Sequence, residues 1–238
     1  MGNKKTFREI QGKLKKMASP QEAAHSQRFF KTGKGEYGEG DIFRGIRVPP
    51  LRKLAKDYMD IPLGETALLL QSKFHEDRAL ALMILVKCFA KGNAATKKEI
   101  YSLYTANTAQ VNNWDLVDIS AEHIIGGFLF DKSKKTLIRL AKSKSLWERR
   151  IAIISTFHFI RKRHFDDTLR IAALLINDEH DLIHKAVGWM LREIGKRNIS
   201  AEESFLKEHY TQMPRTMLRY AIEKFPEQKR LAYLRGDI

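Results

Sequence analysis

Five short segments of this chain keep a common step. Set beneath one another, "RALAL", "WDLVD", "RRIAI", "HKAVG" and "LRYAI" place Ala79, Asp115, Arg150, Lys185 and Arg219 in one register, at intervals of 36, 35, 35 and 34 residues. Each is followed by an apolar residue (Leu80, Leu116, Ile151, Ala186, Tyr220) that is expected to face inward. A step of this size suits a helical hairpin that cannot bury its apolar face alone and therefore stacks on its neighbours. The runs around the register agree. In "TALLLQSKF", "ALALMILVKCFA", "RRIAIISTFHFIRK", "LRIAALLIN" and "HKAVGWMLREIGK" apolar residues recur at three- and four-residue spacing. Short polar breaks such as "KGNAAT", "NDEHD" and "KRNIS" separate them, and strand signals are almost absent. The expected fold is all-α, an α-solenoid of stacked helical repeats curved into a superhelix. A hydrophobic content of 43% is enough to give it a core throughout. Residues 1–238 are expected to form a single domain.

One segment breaks the helical pattern. "KTGKGEYGEGDIFRGIRVPP", residues 31–50, holds a G-x-G-x-x-G at Gly33, Gly35 and Gly38. A dinucleotide site needs that motif between a strand and a helix, and no strand precedes it. It reads as a mobile glycine-rich loop, with Pro49 and Pro50 starting the next helix.

Charge narrows the class of partner. Lys and Arg number 43 against 28 Asp and Glu, a net charge of +15. Such an excess suits a polyanion, and the expected partner is nucleic acid rather than a membrane surface. In a stack, equivalent positions form a column along one face. Here the column ends in Arg150, Lys185 and Arg219, a cationic strip on the concave side suited to a duplex backbone. A single cysteine, Cys88, excludes an intrachain disulfide and a cysteine zinc cluster, so a reducing, cytoplasmic setting is expected. No apolar run reaches the roughly 18 residues of a membrane span. The polar start "MGNKKTFREI" does not read as a signal peptide, and its loose myristoylation pattern at Gly2 and Thr6 lacks a second anchoring signal.

The chemistry is expected in "VNNWDLVDIS". Trp114 stands four residues before Asp118, so on a helix the indole and the carboxylate share a face. Trp189 relates to Lys185 in the same way, whereas Trp147 reads as a filler between helices. Aromatic faces with a carboxylate form a site for a cation. On a DNA-binding surface that cation would be an alkylated purine, or the oxocarbenium sugar left as the base departs. An already cationic base leaves without an acid to protonate it, so one carboxylate can suffice. Asp115 points about 100° away around the helix and is expected to be structural, bonded to a neighbouring repeat. The histidines show no set of ligands for zinc; His180 and His184, at i and i+4, stand without further ligands.

"NWDLVD", "WERRIAI" and "HKAVGWMLREIGK", with the entry "GDIFRGIRVP", resemble the bacterial alkylpurine DNA glycosylases of the AlkD type, built from HEAT-like repeats. The resemblance implies a repair enzyme that excises N3- and N7-alkylated purines from double-stranded DNA without metal or other cofactor, as a monomer and with no obligate protein partner. It implies Asp118 as the catalytic aspartate, Trp114 and Trp189 as the tryptophans flanking the lesion's sugar, and Arg150 as a DNA-contacting arginine. Lys185, Arg219 and Arg149 complete the expected DNA-binding set. Phe29 and Tyr37 are both candidates for an aromatic that touches the lesion strand. The competing expectation is a helical-repeat nucleic-acid binder without catalysis. A one-base-per-repeat RNA code is not supported, because the first aligned residues are Arg78, Trp114, Arg149, His184 and Leu218.

Overall fold

A computed structural model describes residues 5–238; Gly2 of the myristoylation pattern lies outside them. The described residues are helical, with no strand beyond one isolated bridge between Ile42 and Phe74. They divide into two compact units, 1–124 and 125–238.

The first unit holds α1 (Phe7–Met17), α2 (Pro20–Phe29), α3 (Val48–Asp57), α4 (Leu63–Leu70), α5 (His75–Lys91), α6 (Ala94–Ala106) and the short α7 (Trp114–Asp118). Its sequence marks the helix starts. Thr6 and Ser19 accept from the amides of Glu9 and Glu22 three residues on, each an S/T-x-x-E cap. Pro49 and Pro50 open α3, where a missing amide hydrogen costs nothing. Helix α5 is the axis of the unit. Its residues from His75 to Leu82 are all buried, and it packs against α3, α4, α6 and α7. A helix buried all round has no solvent face to show a clean stripe.

The second unit holds α8 (Gly127–Leu129), α9 (Lys135–Ala141), α10 (Leu146–Ser155), α11 (Phe157–Arg161), α12 (Asp166–Leu174), α13 (Asp181–Gly195), α14 (Ile199–His209), α15 (Arg215–Ala221) and α16 (Glu227–Arg235). Ser145 caps α10 through the Glu148 amide. Here α13 is the axis, packed on α10, α11, α12, α14 and α15. Its approach to α15 depends on Gly188, where an added Cβ would come within 2.4 Å of the Met217 carbonyl oxygen.

The repeat register is structural. Ala79, Arg150, Lys185 and Arg219 are each the fifth residue of their helices, α5, α10, α13 and α15. Asp115 is the second residue of the shorter α7. Of the apolar followers, Leu80, Leu116, Ile151 and Ala186 are buried, and Tyr220 is half-buried.

Candidate active site

The residues on α7 are held by a charged brace beneath them. His75, Glu76, Asp77 and Arg78 open α5 with four ionisable side chains in succession, all buried. Each is matched. Glu76 accepts the amides of Arg44, Gly45 and Ile46 at 2.8, 2.7 and 3.1 Å, and Arg44 forks onto Asp77 at 2.6 and 2.9 Å. Arg78 reaches Asp41 at 2.6 Å, the Gln110 carbonyl at 3.1 Å and Asn112 at 3.0 Å. Burial of four charges is tolerable only with partners of this kind.

His75 ties three segments together. Its Nδ1 lies 2.8 Å from Asp41 and its Nε2 lies 2.8 Å from Asp115, at the start of α7. Burial pushes the imidazole pKa down, but the Asp115 carboxylate, and then Asp41, outweigh burial and raise it to about 9. The ring is therefore an imidazolium donating at both nitrogens near neutral pH. Burial likewise opposes ionisation of Asp41, yet the His75 and Arg78 contacts leave its carboxyl below the usual range. Asp115 is thus bonded to a neighbouring helix, as its position on α7 suggests.

The glycine-rich segment is pinned rather than mobile. The amides of Gly33 and Gly35 donate to Glu36 and Glu39, each at 2.8 Å, so the loop's own carboxylates occupy the place a phosphate would take. Gly45, at φ +76°, crosses so close to α2 that an added Cβ would meet the Ser19 oxygen at 2.1 Å.

Above the brace sits an aromatic wall. Phe30 stacks on Phe43 at 5.1 Å and on Trp114 at 5.4 Å, and Phe43 stacks on the His75 ring at 4.4 Å. Phe29 meets Trp114 edge-on at 6.0 Å and is 59% exposed. Of the two candidate aromatics for the lesion strand, Phe29 is the one beside Trp114; Tyr37 lies over the Lys31 ammonium. Trp114 is half-buried at the first position of α7, where Asn113 caps its amide. Asp118, one turn on, is also half-buried. A cavity of about 530 Å³ opens beside this wall, lined by Phe29, Phe43, Ala79, Trp114 and Asp115 among others.

The basic residues depart from expectation. Arg150 is only 5% exposed, and its Nη1 donates to the Leu182 carbonyl at 2.6 Å, in the first turn of α13. The fifth position of α10 therefore points at a neighbouring helix, not at solvent. Arg149 forks onto Asp178 at 2.6 and 3.3 Å and bonds the carbonyls of Ser143 and Lys144, so its donors staple loops. Lys185 pairs with Asp181 at 2.6 Å. Only Arg219 of these four is exposed. The open strip of three cations is thus replaced by one exposed arginine, one paired lysine and one buried arginine. Trp189 lies half-buried on α13, 5.7 Å from Phe157. Trp147 is half-buried too, so burial alone does not set it apart from the other tryptophans.

The fold and the α7 site define an all-α repeat protein with an aromatic and carboxylate pocket. Residues 10–225 match the family of DNA alkylation repair enzymes, and the chain belongs to that family. It is also similar in fold to a predicted DNA alkylation repair enzyme from Enterococcus faecalis, at 18% identity and a TM-score of 0.68, over 89% of this chain and 98% of that one. AlkD2 from Streptococcus mutans is similar at 19% identity and a TM-score of 0.54, over 93% and 100% of the two chains. The smu.31 protein of Streptococcus mutans UA159 has 19% identity and a TM-score of 0.53, over 93% and 99%. No curated protein matches the chain.

Proposed function

We propose that this DNA repair protein is a glycosylase that hydrolyses the N-glycosidic bond of cationic N3- and N7-alkylated purines in duplex DNA. The observation that carries the proposal is the division between the two carboxylates of α7. Asp115 is committed to the His75 imidazolium, which fixes the start of the helix. Asp118 stands one turn beyond Trp114, and both are partly exposed. An aromatic surface beside a rigidly mounted carboxylate is what a developing sugar cation requires.

The chemistry follows from the charges. As the bond from the sugar C1′ to the purine breaks, its electron pair goes to the base, which departs neutral because it began as a cation. Positive charge builds on the sugar, and the Asp118 carboxylate stabilises it. A water then bonds to C1′, and its proton passes to the carboxylate or to solvent. The affinity for DNA rests on the +15 charge, with phosphate contacts assigned to Arg219 and to Lys185, whose partner Asp181 is itself exposed. Trp189, on α13 of the second unit, is proposed to meet the DNA on the family resemblance alone.

Incubating the protein with methylated duplex DNA and separating free bases by chromatography tests this. Release of 3-methyladenine or 7-methylguanine is expected. A protein that binds duplex but frees no base from any alkylated substrate is instead a non-catalytic helical-repeat binder.

A further inference from the structure

We propose that a small basic cavity just past α7 is the seat of one backbone phosphate of the DNA strand, with Arg52, Lys87 and His123 as its donors. The identity of the ligand rests on the DNA-repair reading above; the site rests on the geometry of the first unit alone.

The cavity has a volume of about 310 Å³. It is lined by Arg52 of α3, by Met83, Val86 and Lys87 of α5, and by Ile119 and His123 from the segment that follows α7. Spacing explains the convergence. Met83 and Lys87 stand one turn apart on α5, so the thioether and the ammonium share a face. His123 belongs to a single π turn, Glu122–Gly126, a distortion of helix that recurs at functional sites. The apolar members form the base of the cavity, and three donors from three elements stand around it.

Charge gives the ligand its sign. No carboxylate lines the cavity, and among the described residues Arg52, Lys87 and His123 have no hydrogen-bond or ion-pair partner. Other cations near the helix starts are committed: Arg44 to Asp77, Arg78 to Asp41, Arg149 to Asp178 and Lys185 to Asp181. Arg52 and Lys87 also repel each other across the cavity, which a phosphodiester anion would relieve. Its free oxygens can accept from the guanidinium, the ammonium and an imidazole N–H, which is present in either charge state of the ring.

Position ties the seat to the chemistry. Ile119 directly follows Asp118, and Arg52, Met83 and Ile119 are shared with the cavity beside Trp114. A carboxylate that faces a sugar also repels the phosphate of the same strand. Cations next to it offset that repulsion and favour its ionised form. The wider groove of about 910 Å³ along α1 and α2, with Arg8, Lys15 and Lys73, is basic as well. It has no residue of α7 on its wall, and its Arg44 is already bound to Asp77.

The test measures binding of undamaged duplex by fluorescence anisotropy across a salt series. Losing one phosphate contact lowers the slope of log affinity against log salt by about 0.9. Arg52→Ala combined with Lys87→Ala should show that fall. Lys53→Ala combined with Lys98→Ala removes the same charge from two exposed positions on neither basic cavity, and should leave the slope unchanged. His123→Ala, at an exposed position, should give a smaller fall and decides the matter where the first variant does not fold. An unchanged slope in the seat variants, or equal falls in seat and control variants, would overturn the assignment. If slopes are unchanged but inorganic phosphate raises the melting temperature of wild type and not of the seat variant, the cavity takes a free anion and the strand assignment is wrong. Undamaged duplex offers nothing to hydrolyse, so failure here leaves a positive base-release result standing. A protein that frees no base can still show the predicted slopes, which would keep the seat and remove the glycosylase.

Discussion

The buried His75 bridge predicts a pH-dependent loss of stability that can be sized in advance. The imidazole pKa is raised from 6.5 to about 9 in the folded protein by Asp115 and Asp41, against the pull of burial. A raised pKa means that the folded state holds the proton more tightly than the unfolded chain. The stabilisation is therefore complete below pH 6.5 and is lost as pH rises through 9. A shift of about 2.5 units at about 1.4 kcal/mol per unit gives on the order of 3 kcal/mol. His75→Gln removes the titrating charge and keeps a side chain able to hydrogen bond. Urea unfolding of wild type and variant should show a stability gap that narrows by about that amount between pH 6 and pH 9.5. Taking the difference cancels titrations elsewhere in the chain. Amide exchange along α5 confines the readout to the first unit. A gap that stays constant over this range would mean that His75 is not an imidazolium, and the brace under α7 would lose its electrostatic basis.

The remaining expectations concern the second unit. Arg219→Ala should weaken duplex binding alike for all sequences and lower the salt slope by about one phosphate contact, with the melting temperature unchanged. Arg149→Ala should do the reverse, lowering the melting temperature because Asp178 and two carbonyls lose their donor; equal effects on binding from the two variants would contradict the placement. Burial pushes the Glu202 carboxyl up to about 8, with Glu203 adding to the shift and Arg192 opposing it. Its folded state resists ionisation, so stability should fall as pH rises from 4.5 to 8, by as much as roughly 5 kcal/mol. Glu202→Gln should remove most of that slope in denaturant titrations, and a wild type that is flat across the window would refute it.

Periodicity exposed the architecture because it reports which face is buried. The common fifth position of α5, α10, α13 and α15 follows directly from the 34- to 36-residue step. That Trp114 and Asp118 stand one turn apart on a helix, and that Asp115 bonds to a neighbouring helix, was legible from their spacing. The cationic strip was misread for a physical reason. A register fixes where a residue sits along its helix, but a long arginine side chain bends toward whatever acceptor is near, and the Leu182 carbonyl is within reach of Arg150. The "HEDR" start of α5 went unread because four consecutive charges resemble a solvated face. Its signal was position: charges standing immediately before the longest apolar run, where only partners from distant segments could match them. The glycine segment was read as mobile because its composition is that of a flexible loop, whereas Glu36 and Glu39 hold the amides of Gly33 and Gly35.

Single-turnover release of alkylated base by Asp118→Asn, with protein saturating over methylated duplex, isolates bond cleavage from binding. Asparagine keeps the size of the side chain and removes its charge. The variant should fold and bind duplex at least as well as wild type, while its cleavage rate falls by about 100-fold or more, the scale of losing one electrostatic stabiliser at a reacting centre. A folded variant that releases base at the wild-type rate would show that Asp118 does not face the sugar, and the catalytic assignment on α7 would be wrong.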